Sequence, residues 1–133
     1  MTNEGHQNIL ILVRRMGTLM EEFHTASLQL SQSLDRNDTV SIKISLEMRQ
    51  EAIQSIQKTK QALAKQINLL PESTDRERLK DILNGGESGE SAAEQALSER
   101  AAANIRLYQR ILRLDEVISR KMARERSVYA KQE

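Results

Sequence analysis

The 133 residues carry 20 basic and 19 acidic side chains, a net charge of +1, so nothing in the charge balance argues for nucleic acid or an anionic membrane as the main partner. Cysteine is absent, which excludes disulfides and thiolate metal sites. Aromatic residues make up only 2% (Phe23, Tyr108 and Tyr129) and Pro71 is the single proline, so Leu, Ile, Met and Ala must build the core, in long helices that proline does not interrupt.

The first apolar run, ILILV at 9–13, is too short to span a membrane and meets Arg14-Arg15 at once. It also lacks the basic start and small-residue cleavage site of a signal peptide, so a soluble, intracellular protein is expected. From Ile9 onward, Leu12, Val13, Met16, Leu19, Met20, Phe23, Leu30 and Leu34 recur at three-four spacing, with Ser27 as the one gap. This predicts a long amphipathic helix that absorbs Gly17 and ends in the polar turn Asp35-Arg36-Asn37-Asp38.

Asp38, or else Asn37, is the expected N-cap of a second helix. VSIKISLEM (40–48) alternates like a half-buried strand, but Ile42, Leu46, Ile53, Ile56, Leu63, Ile67 and Leu70 continue one helical face far past nine residues. The helical reading therefore holds. Arg49 and Lys60 fall on that face and can lay their stems along it; Val40, Ile44 and Met48 point the opposite way.

Pro71 closes the second helix. Thr74 and Glu77 have capping-box spacing and predict a short third helix with Leu79, Ile82 and Leu83, stopped by Gly85-Gly86. GGESGES (85–91) reads as a flexible linker, and Ser91 with Glu94 opens the last helix. Its main face is Leu97, Ala101, Ile105, Tyr108, Ile111, Leu112, Ile118 and Met122, and Leu107, Leu114, Val117 and Val128 widen one flank. The expected fold is all-α: one domain over 1–133, an elongated antiparallel bundle of three long helices plus one short helix.

No catalytic or cofactor signature appears, and neither an enzyme, a metal nor a cofactor is expected. Glu21 and His24 stand three apart, but an inward two-metal site needs two such pairs and the chain has one. Gly85-Gly86 is a helix stop rather than a phosphate loop. Arg14, Arg15, Arg49, Lys80 and Arg113 read as solvated-face or snorkelling cations, and the basic run 119–131 suits the C-terminal end of a helix. Two apolar surfaces exceed what a core requires. One is Ile44 and Met48 with Val40; the other is Leu107, Leu114, Val117, Val128 and Tyr129 of the last helix. Each either completes the core or forms a partner-binding groove or a homodimer face.

The stretch from Asp38 to Ile53 bears on that choice. Asp38, Ile42, Leu46, Arg49 and Ala52-Ile53 resemble the turn-helix segment of flagellar type III export chaperones of the FlgN and FliT kind, and 105–122 resembles their closing helix in order and length. Asn37 stands where that family usually has glycine, and Asn104 alone represents its Asn-rich late segment. The resemblance implies a cytoplasmic, non-enzymatic chaperone whose partner is the amphipathic terminal helix of a late export substrate, a hook-associated or filament-cap protein. The alternative is a structural bundle or adaptor that self-associates through its last helix.

Overall fold

The structure, a computed structural model, describes the backbone of residues 3–86, 89 and 91–132, and the side chains of these except 3 and 127–132. Four helices follow in order: α1 (Asn3–Asp35), α2 (Thr39–Asn68), α3 (Ser73–Leu83) and α4 (Ala92–Gln132). No strand occurs among the described residues, and 40–48 lies inside α2. The first helix starts six residues before Ile9, taking in Gly5 and His6.

The turn after α1 is built by local chemistry. Asn37 adopts φ 53°, the left-handed conformation that Asn tolerates better than most residues. The Asp38 and Asn37 amides then donate back to the carbonyls of Ser33 and Leu34, so the open end of α1 is closed by a Schellman motif. Asp38 at once caps α2: its Oδ1 accepts from the Ser41 amide at 3.1 Å and its Oδ2 from the Ser41 hydroxyl at 2.7 Å. The hydroxyl bond, and after it the amide bond, hold the Asp38 carboxyl below its ordinary range.

Gly85 repeats the device at the end of α3, with φ 86° and Gly86 and Gly85 amides donating to Asp81 and Ile82. The start of α3 departs from expectation. Glu72, not Thr74, is its N-cap residue and supplies no side-chain hydrogen bond. At α4 half of the expected box forms: Ser91 Oγ accepts from the Glu94 amide at 3.1 Å, while the Glu94 carboxylate is drawn to Arg78 of α3 at 2.8 Å. Of the 85–91 linker, residues 87, 88 and 90 lie outside the described residues.

Three core clusters are stacked along the bundle and fix its register. At one end Ile9 and Val13 meet Ile67, Leu70, Leu79, Ile82 and Leu97, so α3 lies across the end of the three long helices. In the middle Met20 and Phe23 pack with Ala52, Leu107 and Ile111. At the turn end Leu30 and Leu34 pack with Ile118, joined by half-buried Ile42, Leu114 and Met122. Residue numbers therefore rise together along α1 and α4 and fall along α2. The helices run up, down and up.

α1 is the middle helix. Leu19, Ala26 and Ser33 of α1 and Ser45, Ala52 and Thr59 of α2 are all buried, and in both sets the spacing is seven. The cluster register brings these sets to matching levels, and the small side chains among them, all but Leu19, let antiparallel helices approach closely along one seam. Three of the buried hydroxyls are satisfied within their own helices: Ser27, Ser33 and Thr59 donate to the carbonyls of Phe23, Gln29 and Ser55 at 2.7–2.9 Å. By contrast, among the described residues no Cα of α2 comes within 8 Å of a Cα of α4. That gap is where the candidate site lies.

Candidate functional site

Because α2 and α4 both lean on α1 and not on each other, a seam runs between them. Toward the α3 end it opens into a cavity of about 230 Å³, floored by Met16 and Met20 of α1 and walled by Leu63, Leu83, Ile105 and Tyr108. Toward the turn end a second, shallower depression of about 440 Å³ lies over Ile42 and Leu46 and reaches Glu125. Arg49 bridges the seam between them, its Nη2 donating to Asp115 Oδ1 at 2.9 Å. The guanidinium lies over the Phe23 ring, 4.8 Å from its centroid, and its buried Nε makes no hydrogen bond.

A second polar lock ties α4 to α1. Asn104 Nδ2 donates to the Val13 carbonyl at 3.0 Å. The amide fits there because residue 17 is glycine; a Cβ on Gly17 would stand 2.6 Å from Asn104 Oδ1. Nearer the turn, Lys121 Nζ donates to the Ser31 hydroxyl and to Asp35, both at 2.8 Å. These locks fix the rotation of α4, and rotation decides which flank reaches solvent.

The outcome corrects the sequence reading of that helix. Leu107 is 5% exposed and belongs to the middle core cluster, reaching the surface only at the base of a groove between α1 and α4. Leu114 is half-buried against Leu30, Leu34 and Ile118, and Val117 is half-buried. The side chains of Val128 and Tyr129 lie outside the described residues. Conversely, Tyr108 and Leu112, expected in the core, are 53% and 45% exposed on the flank beside the α2–α4 seam. Their spacing was visible, but nothing in α4 alone distinguishes its two flanks; the signal was Gly17 paired with Asn104.

On α2, Ile44 and Met48 are exposed with Val40, as their position opposite the main face predicts. The short helix cannot cover them, because α3 packs at the other end of the bundle. They lie opposite the α2 face that carries Ile42 and Leu46, and so away from the seam that Tyr108 lines. Leu46, expected in the core, is exposed at the seam.

Five of the six matching positions in the Asp38–Ile53 segment acquire a structural role, Leu46 being the exception. Asp38 caps α2, Ile42 supports the turn-end core, Arg49 bridges to Asp115, Ala52 is buried in the middle core and Ile53 packs against it. Among the described residues no group of three or more His, Asp or Glu could hold a metal, and no helix is long and apolar enough to cross a membrane. In comparisons with known proteins, no family model matches the chain, and no curated protein or solved structure matches it significantly.

Proposed function

We propose that this protein is a non-enzymatic chaperone that holds an amphipathic helix of another protein along the α2–α4 seam, in the manner of flagellar export chaperones. The observation that carries the reading is the exposed apolar pair Tyr108 and Leu112 beside a Met-floored cavity, where α2 and α4 stand apart over α1. Methionine is a suitable floor because its flexible thioether adapts to differently shaped side chains. A helix laid there would place its apolar stripe against Leu46, Leu63, Tyr108 and Leu112. The likeness of Asp38–Ile53 to the flagellar chaperones supplies the class of cargo: the terminal helix of a hook-associated or filament-cap protein, kept in the cytoplasm from premature assembly.

Calorimetric titration of the intact protein with such terminal-helix peptides tests the reading. Tyr108→Asp with Leu112→Asp should weaken binding at least about tenfold while far-UV helicity is unchanged, since burying one Leu-sized side chain is worth ~1.5–3 kcal/mol. Unchanged affinity would overturn it. The second reading, self-association, uses the same exposed pair. Sedimentation equilibrium separates the two: a dimer that Leu112→Asp dissociates favours a structural scaffold, and a monomer favours cargo binding.

A further inference from the structure

On the other side of α4, facing α1, lies a groove of about 550 Å³ with a different character. Arg100, Arg106, Arg110 and Arg113 of α4 line it, and Glu21 is the one carboxylate among its lining residues. Gly17 helps to keep it open by offering no side chain at its floor. All four arginines are exposed, and none makes an ion pair or side-chain hydrogen bond with another described residue.

This is not how the fold uses its structural cations. Arg49, Arg78 and Lys121 each bind a carboxylate on a different helix and hold the bundle together. The groove arginines instead stand at 106, 110 and 113, like charges at i, i+4 and i+7, a spacing that weakens a helix through mutual repulsion. The row adds nothing to the folded state that the structure reveals, and an anionic partner would relieve it.

We propose that the α1–α4 groove docks an acidic helical segment of a protein, independently of the apolar seam. From Arg100 to Arg113 the row extends about 20 Å at 1.5 Å per residue, the length of a few helical turns. Carboxylates at i, i+4 and i+7 on a partner helix would meet the planar guanidinium forks, which pair with carboxylates bidentately. Single-stranded nucleic acid fits less well because no aromatic side chain lines the groove to stack a base. Duplex nucleic acid would want a broad positive field, and the chain's net charge is only +1.

Fluorescence anisotropy with the full chain tests the proposal. The probes are a labelled helical peptide of about four turns with glutamates at i, i+4 and i+7, a scrambled peptide of equal composition, and a short oligothymidine. The spaced peptide should bind at least about tenfold more tightly than either alternative, with affinity falling as salt rises. Arg106→Glu with Arg110→Glu should remove at least about tenfold of that affinity, and Lys58→Glu with Lys65→Glu, exposed on α2 and outside the groove, less than about twofold. Equal binding of the scrambled peptide, tighter binding of oligothymidine, or equal losses from the two variant pairs would each overturn the proposal. Circular dichroism of every variant establishes that the helices are intact, and Tyr108→Asp, which tests the seam, should leave this binding unchanged.

Discussion

Replacing Gly17 by alanine probes the lock that sets α4 on α1. In a free helix the change gains about 1 kcal/mol, because glycine is that much poorer than alanine in a helix interior. Here the new methyl would stand 2.6 Å from Asn104 Oδ1, so the amide must swing off the Val13 carbonyl it now holds at 3.0 Å. Losing that hydrogen bond costs roughly 1 kcal/mol, and crowding of the packed site adds about 1–2 kcal/mol where the amide cannot move freely. Gly17→Ala in the native chain should therefore range from neutral to about 2 kcal/mol destabilising. In an Asn104→Ala background the obstruction is gone and the same change should stabilise by about 1 kcal/mol. The double-mutant cycle, read from urea unfolding by far-UV circular dichroism, should give a coupling of about 1–3 kcal/mol. An equal gain from Gly17→Ala in both backgrounds would refute the lock.

Three further outcomes follow from the same geometry. Asn37→Gly should raise stability by several tenths of a kcal/mol up to about 1 kcal/mol in urea melts, because φ 53° is strained for any side chain but free for glycine. The Asp38 carboxyl is held below its ordinary range in the folded chain, so its contribution is present above the unfolded-state value and is lost as pH falls through the lowered one. Asp38→Asn should flatten that acid limb in a pH series of thermal melts. Asp115→Ala should cost more stability than Arg49→Met: the first leaves a mostly buried guanidinium facing no carboxylate, whereas the second keeps an apolar stem on Phe23. Equal losses would remove the bridge from the account.

Helix order was legible because its signals are local. The three-four spacing from Ile9, the turn at 35–38, the Asp38 cap, Pro71 and Gly85-Gly86 all act within a few residues of where they stand, and each has its expected effect. The apparent strand at 40–48 resolves for the same reason, since its apolar face continues well past any strand. The rotation of the helices about their axes was not legible in this way. The faces of α2 and α4 that look most hydrophobic pack only in part: Ile67, Leu70, Leu97, Ala101, Ile111 and Ile118 are buried, whereas Leu46, Tyr108 and Leu112 are exposed. Ser45, Ala52 and Thr59 draw α2 onto α1 because they are small, which turns Leu46 outward. Asn104 and Lys121 pin α4 so that Leu107 goes in and Tyr108 comes out. A hydropathy pattern ranks such residues as weak core formers, although their size and hydrogen bonds decide the packing. The N-terminus of α3 fails differently: the Thr74–Glu77 spacing is present, but the helix begins earlier, after Glu72.

The proposal that a partner helix occupies the space between α2 and α4 is tested most directly by following backbone amide resonances of the intact protein as a hook-associated or filament-cap terminal helix is added. Shifts should concentrate at 46–63 and 105–112, with the Tyr108 and Leu112 amides among the largest. Shifts confined to the opposite α2 face of Val40 and Ile44, or to the flank of α4 that carries Val117, would contradict it, and so would spectra that the peptides leave unchanged.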